Sequence, residues 1–261
     1  MCVEHDSRPP IAPIAGAAVD GSLVELISGD GTRCAAYCAH ASAPSGAGMI
    51  VLPDVRGLAP FFEELALRFA EAGIDAIALD HYGRTAGAER RGPDFDHAPH
   101  TTRTTWAGLR ADAIAAGEHL RAEHGVRSLF SIGFCMGGRI SFLLAAVPEL
   151  GLAGAVGFYG WPVGPWRNDT PAPAEVAGSM RAPILAIFGG ADAGIPSEHV
   201  DAFRSALATA GVEHEVITMA GAPHSFFDRK QESFASASAE AWAAVQAFVR
   251  AHTAAQPCAG A

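Results

Sequence analysis

The chain has 261 residues, 49% of them hydrophobic and 18% charged, with a formal net charge of −10. That is enough apolar material for one well-cored unit and too much for a disordered chain, and the negative balance repels polyphosphate and so argues against a nucleic-acid partner. Gly, Pro or charge interrupts every apolar run short of a bilayer's thickness, and Met1-Cys2-Val3-Glu4-His5-Asp6 carries no basic-then-apolar leader, so a cytoplasmic protein without a membrane anchor is expected.

In chain order, a loose lead over 1–20 gives way to residues 24–39, which read as a β-hairpin around Gly29-Asp30-Gly31. A short apolar strand over 49–53 leads to a helix over 61–72, where Phe61, Leu65 and Phe69 repeat at helical spacing and Gly73 closes the run. After a strand at 74–79, the Gly-, Arg-, His- and Pro-rich segment 81–105 reads as a long loop. Leu109, Ala113, Ala116 and Leu120 mark a helix over 106–124, and a strand over 128–134 runs directly into a helix over 136–147. A strand at 153–158, an irregular stretch over 160–179, a strand at 183–188, a helix over 198–210, a strand at 214–219 and a closing helix over 233–252 complete the chain before a tail at 253–261. Short apolar strands alternating with helices predict one α/β domain over 21–252, its mostly parallel sheet covered on both faces and its ligands at the carboxyl ends of the strands.

Five scattered cysteines make no disulfide framework. Cys34 and Cys38 face one side of a strand as packing residues, and Cys2 and Cys258 fall in terminal segments. Cys135 stands apart, because Gly133-Phe134-Cys135-Met136-Gly137 is a Gly-x-nucleophile-x-Gly turn between a predicted strand and a predicted helix. Such a turn strains the central residue and leaves no room for side chains two positions away, and the helix dipole favours a thiolate at its start. Asp192, in the loop after the 183–188 strand, and His224, in the loop after the 214–219 strand, follow in the order nucleophile, acid, base. A base must reach the thiol, and a carboxylate must hold the imidazole in the right tautomer. The backbone N–H groups of Met136 and of Val55, in the loop after the 49–53 strand, are the expected oxyanion hole.

These segments resemble the dienelactone hydrolase (carboxymethylenebutenolidase) family of α/β-hydrolases, whose Cys variant of the nucleophile turn looks like 133–138 here and whose acid and base segments look like 189–196 and 224–226. The resemblance implies an α/β-hydrolase fold with an N-terminal antiparallel hairpin, and a hydrolase that opens a small ester or lactone through a thioester on Cys135. It also places a thiol-activating carboxylate at Asp54, where the family carries the longer Glu, and a substrate-binding Arg at Arg84, next to Tyr82. The family's second Arg position holds Asp228, with Arg229 one residue on, which favours a broader carboxylesterase or thioesterase over the doubly anionic substrate. A non-catalytic binding module on the same fold is the reading from another class.

Trp161 and Trp166 read equally as an apolar pocket wall or as anchors of their loop on the sheet, and His97 and His100 as residues that line or cover the pocket rather than metal ligands. The expected partner is a small ester or lactone, with no cofactor and no metal, in a monomer or homodimer.

Overall fold

The computed structural model describes residues 6–14, 17, 19–228, 230 and 232–254. Cys2, Cys258 and Arg229 lie outside them. Among the described residues the strands are β1 (Val19–Ile27), β2 (Arg33–Ala41), β3 (Ala47–Leu52), β4 (Asp75–Leu79), β5 (Ser128–Phe134), β6 (Gly154–Phe158), β7 (Ile184–Gly189) and β8 (His214–Met219). They form one sheet in the order β1-β2-β4-β3-β5-β6-β7-β8. β1, β2 and β4 pair antiparallel, and every pairing from β4 through β3 to β8 is parallel.

The helices are α1 (Pro60–Glu71), α2 (Gly83–Ala86), α3 (Ala98–Thr101), α4 (Trp106–His124), α5 (Met136–Leu144), α6 (Pro173–Val176), α7 (Ser197–Thr209) and α8 (Ala235–His252). Side chains alternate across a strand, so each central strand feeds two cores. Met49 and Val51 of β3, with Phe130 and Ile132 of β5, join a core under α1, α7 and α8. Ile50 and Leu52, with Leu129, join a second core under α4, whose Leu109, Ala113, Ala116 and Leu120 form the stripe predicted from spacing.

The direction of strand addition reverses between β3 and β5: β4 lies on one side of the pair, and β6 to β8 follow on the other. Loops leaving β3 and β5 therefore diverge and open a crevice at the carboxyl ends of the strands. Beneath it, Phe134 stacks on Phe158 with ring centroids 4.8 Å apart, and Phe227 packs on Phe158 at 5.0 Å. Truncating such a buried ring to Ala typically costs about 3–5 kcal/mol.

The hairpin is longer than its composition suggests. Its rungs run from Val19 opposite Ala41 to Ile27 opposite Arg33, because Asp20 and Ser22 sit on an edge strand where polar side chains meet water. Part of the N-terminal lead is tied down: Ser7 and Ile11 are buried, and Ser7 Oγ donates to Asp228 Oδ2 at 2.7 Å. The 81–105 segment contains two single-turn helices, α2 and α3, rather than continuous loop. No helix of the described residues is long and apolar enough to cross a membrane.

Candidate active site

β5 enters α5 through Cys135, whose φ of 54° and ψ of −112° are strained for a residue with a side chain. Glycine is obligatory around it: a Cβ on Gly133 would stand 1.9 Å from Gly137 O, and one on Gly137 would stand 2.1 Å from Leu52 O. The obstacles are backbone, so nothing can rotate away. Cys135 N–H donates to Phe158 O at 3.0 Å, which pins the turn to the neighbouring strand. Met136 opens α5, and a first-turn N–H has no acceptor inside its own helix.

Among the described residues, only Cys135, Tyr159 and Ser225 combine a side chain with positive φ. Cys135 lines the cavity described below, and the other two adjoin His224. Tyr159 follows β6 and Ser225 follows His224, and the Tyr159 ring lies 4.9 Å from the His224 ring. Strain confined to one place in a well-packed chain marks where geometry is over-determined.

Asp192 and His224 meet after β7 and β8. Asp192 Oδ1 accepts from Gly194 N–H at 2.8 Å and Ile195 N–H at 3.3 Å, which leaves Oδ2 for His224 Nδ1 at 2.6 Å. An ionised carboxylate only accepts, so the ring carries its proton on Nδ1. Nε2 is buried and has no hydrogen-bond partner among the described residues. A cavity of about 490 Å³ is lined by Val55, Cys135, Trp161, Trp166, Arg167, Asp192 and His224, among others. Of the two readings of Trp161 and Trp166, the aromatic wall is there, with ring centroids 5.0 Å apart and Trp161 5.1 Å from His224.

The β4 exit plays a part different from the expected one. Arg84 does not line the cavity: its guanidinium is taken up by Asp30 in the hairpin turn, by Thr32 and by buried Asp112 of α4 at 2.8 Å. The Arg84 hydrogen bond pulls the Asp30 carboxyl down to about 2. Tyr82 is also corrected, from substrate contact to support. It is fully buried and its hydroxyl donates to Val55 O at 2.6 Å.

Its neighbours act on the same loop. Burial pushes the His81 pKa down and keeps the ring neutral, so the Nε2 proton faces Pro53 O at 2.7 Å. Asp80 accepts from Leu58 N–H at 3.2 Å and is paired with Arg91 at 2.7 Å. Residues 80–82 thus hold the segment 53–58 from behind.

Asp54, in that segment, is buried with both oxygens engaged by Arg56 Nε, at 2.9 and 3.0 Å. Asp228 is buried too, held by Ser7 and by Lys230 N–H, and lies outside the cavity lining. His97 and His100 flank or enter α3 away from that lining.

Two further residues emerge from the structure. Arg167, exposed at the cavity, lies 5.7 Å from the Trp166 ring and is a cation in that lining, where Arg84 is not. Its signal in the sequence is a lone charge beside a Trp in an irregular stretch that follows a strand's carboxyl end. Arg139 of α5 is fully buried and donates to Trp161 O, Gly164 O, Thr170 O and Thr170 Oγ1 at 2.9–3.1 Å. It anchors the loop that carries Trp161, Trp166 and Arg167. Burial lowers its pKa to about 10, which leaves it charged at neutral pH.

A mixed sheet with this turn at its centre and an acid and a base on later loops defines an α/β-hydrolase. Comparison with known proteins narrows the class. Residues 34–253 match the model of the dienelactone hydrolase family, and the chain belongs to that family. It is 31% identical over 248 residues to a Salmonella typhimurium protein named "Putative carboxymethylenebutenolidase", covering 88% of each chain. An Escherichia coli protein of the same name is 31% identical over 252 residues, covering 89% of each. Among solved structures, a dienelactone hydrolase homologue from Klebsiella pneumoniae superposes with a TM-score of 0.78 at 28% identity, covering 89% of this chain and 99% of that one. A dienelactone hydrolase-like promiscuous phosphotriesterase from metagenomic libraries superposes with a TM-score of 0.74 at 25% identity, covering 91% of this chain and all of that one. The family supports a hydrolase that acts on small lactones and esters.

Proposed function

We propose that the protein hydrolyses small carboxylic esters or lactones with Cys135 as nucleophile, His224 as base and Asp192 as the carboxylate that orients it. The observation that carries this reading is the meeting of Cys135, Asp192 and His224 on one cavity, with Asp192 bonded to Nδ1 and His224 Nε2 without a hydrogen-bond partner among the described residues. Cys38 also has a histidine beside it, but burial pushes its thiol up to about 12 and it sits within a strand, so it makes a poor nucleophile.

In the proposed reaction His224 Nε2 takes the thiol proton. Asp54, committed to Arg56 through both oxygens, is left to shape the loop. The Cys135 sulfur adds to the carbonyl carbon, and the N–H groups of Val55 and Met136 receive the oxyanion. The C–O bond to the leaving group breaks, the imidazolium gives that oxygen its proton, and a thioester remains. Water, deprotonated by His224, adds to the thioester, and its collapse releases the carboxylic acid and restores the thiol.

The Trp161 and Trp166 faces suit a flat apolar substrate, and Arg167 suits an acidic substituent at its outer end. A drifted pocket that accepts general esters or thioesters is the second reading, favoured by the placement of Arg84 and Asp228 outside the cavity. Hydrolysis of aryl esters and of dienelactone by the native chain, Cys135→Ala and Arg167→Gln tests both. Loss of turnover in Cys135→Ala with acyl thioester trapped on the native protein is expected. Equal turnover in the two would sink the catalytic assignment. A rise in KM for acidic esters alone in Arg167→Gln separates the first reading from the second.

A further inference from the structure

At the opposite edge of the sheet, by the amino ends of the parallel strands, a second polar cluster joins three elements. His40 lies near the end of β2, Asp75 opens β4 and His124 closes α4. Antiparallel pairing sets Ala39 opposite Ala76 and so brings His40 beside Asp75. His40 Nδ1 lies 2.6 Å from Asp75 Oδ1 and 2.9 Å from His124 Nδ1. The three atoms all lie within 4.8 Å of one another.

Proton counting leaves this arrangement unsatisfied. A proton on His40 Nδ1 serves Asp75, and the His124 lone pair then shares that one hydrogen. If His124 Nδ1–H instead donates to an unprotonated His40 Nδ1, no proton is left between that nitrogen and the carboxylate oxygen 2.6 Å away. Asp75 is fully buried, and although Oδ1 also accepts from Ala41 N–H at 2.9 Å, Oδ2 has no hydrogen-bond partner among the described residues. A buried carboxylate so placed calls for a positive charge.

We propose that His40, Asp75 and His124 bind a divalent first-row transition metal, most readily Zn²⁺. One ion would receive all three lone pairs, since tetrahedral donors about 2.0–2.1 Å from zinc stand roughly 3.3 Å apart, a spacing that these atoms reach by opening slightly around it. Two imidazoles and one carboxylate suit zinc better than the all-oxygen shells of Mg²⁺ or Ca²⁺. The His40 side chain is 43% exposed, which gives the ion a path in and a fourth position for water. Behind the site, His124 Nε2 lies 3.3 Å from Cys38 Sγ, an outer contact of the kind that fixes the orientation of a ligating ring. The ion would clip the end of α4 to β2 and β4, remote from Cys135 and independent of the hydrolytic reading.

The test uses the untagged full chain carrying Cys135→Ala, so that the active-site thiol cannot compete for metal. After stripping with chelator, Co²⁺ is added and its visible d–d absorption is followed. One equivalent of Co²⁺, displaced by Zn²⁺, is expected, with none bound in a His40→Ala variant and a higher Tm when Zn²⁺ is present. His40 is partly exposed, so His40→Ala serves even if Asp75→Asn fails to fold. In the otherwise native chain, His40→Ala is expected to keep its ester hydrolysis. Failure to take up Co²⁺, an equivalent that persists in His40→Ala, or a sulfur-to-cobalt charge-transfer band marking Cys38 as ligand would each overturn the assignment.

Discussion

Asp192 Oδ2 stands 2.6 Å from His224 Nδ1, while two backbone amides hold the other oxygen of the same carboxylate. The carboxylate cannot swing, so the ring cannot turn. Asp192→Asn keeps the shape and supplies an N–H where an acceptor is needed, which favours the wrong tautomer. kcat should fall on the order of 10³–10⁴-fold with little change in the unfolding midpoint. A loss below about tenfold in steady-state assays would remove Asp192 from the mechanism.

Tyr82 tests the reassignment of the β4 exit. Tyr82→Phe removes the hydroxyl that donates to Val55 O, and its 2.8 Å contact with Thr101 Oγ1. Stability should drop by about 1–2 kcal/mol in urea unfolding. kcat should fall about 10- to 100-fold through a displaced oxyanion donor, with KM little changed. A rise in KM at constant kcat would instead restore Tyr82 to substrate contact.

Arg139→Met leaves the carbonyls of Trp161, Gly164 and Thr170 without their donor. A cost of about 2–4 kcal/mol is expected, with a red-shifted tryptophan emission and a raised KM as the loop loosens. Unchanged emission would show that the loop holds without it.

Alkaline stability follows from the buried thiols. Burial, reinforced by nearby carboxylates, pushes Cys34 and Cys38 up from an ordinary 9.0 to about 12. Above pH 9 the folded chain therefore keeps protons that the unfolded chain has lost. Their stabilising contribution, complete below that pH, fades as the pH climbs towards 12. The urea midpoint should fall between about pH 8 and about pH 11, and a Cys34→Ala, Cys38→Ala chain should fall less steeply. Equal slopes would contradict the burial of these thiols.

Much of this could be read from residue order because the cues are local. The turn at Cys135 needs glycines two positions away on either side, and the loops bearing Asp192 and His224 each follow an apolar strand. The α4 stripe from Leu109 to Leu120 is likewise a matter of spacing along one helix. Arg84 shows where such reading stops: its partners, Asp30 and Asp112, come from a hairpin turn and from a helix far along the chain. Tyr82 and Arg139 differ for the same reason, since Tyr82 donates to a backbone carbonyl and Arg139 to three of them, and these carry no side-chain signature. The edge strand's first residues, Asp20 to Ser22, hide in a polar stretch because only pairing with β2 makes them a strand.

The turn around Cys135 is defined by main chain against main chain, with Gly133 closed by Gly137 and Gly137 by Leu52. The contacts that close this joint are all main chain, so the scaffold and the side chain it carries are separable parts. The site is in effect a socket, whose occupant can be exchanged while its aim stays fixed. On the proposed function, a hydroxyl placed there by Cys135→Ser would meet the same histidine and the same amides, and the difference in rate would report on the exchange of sulfur for oxygen.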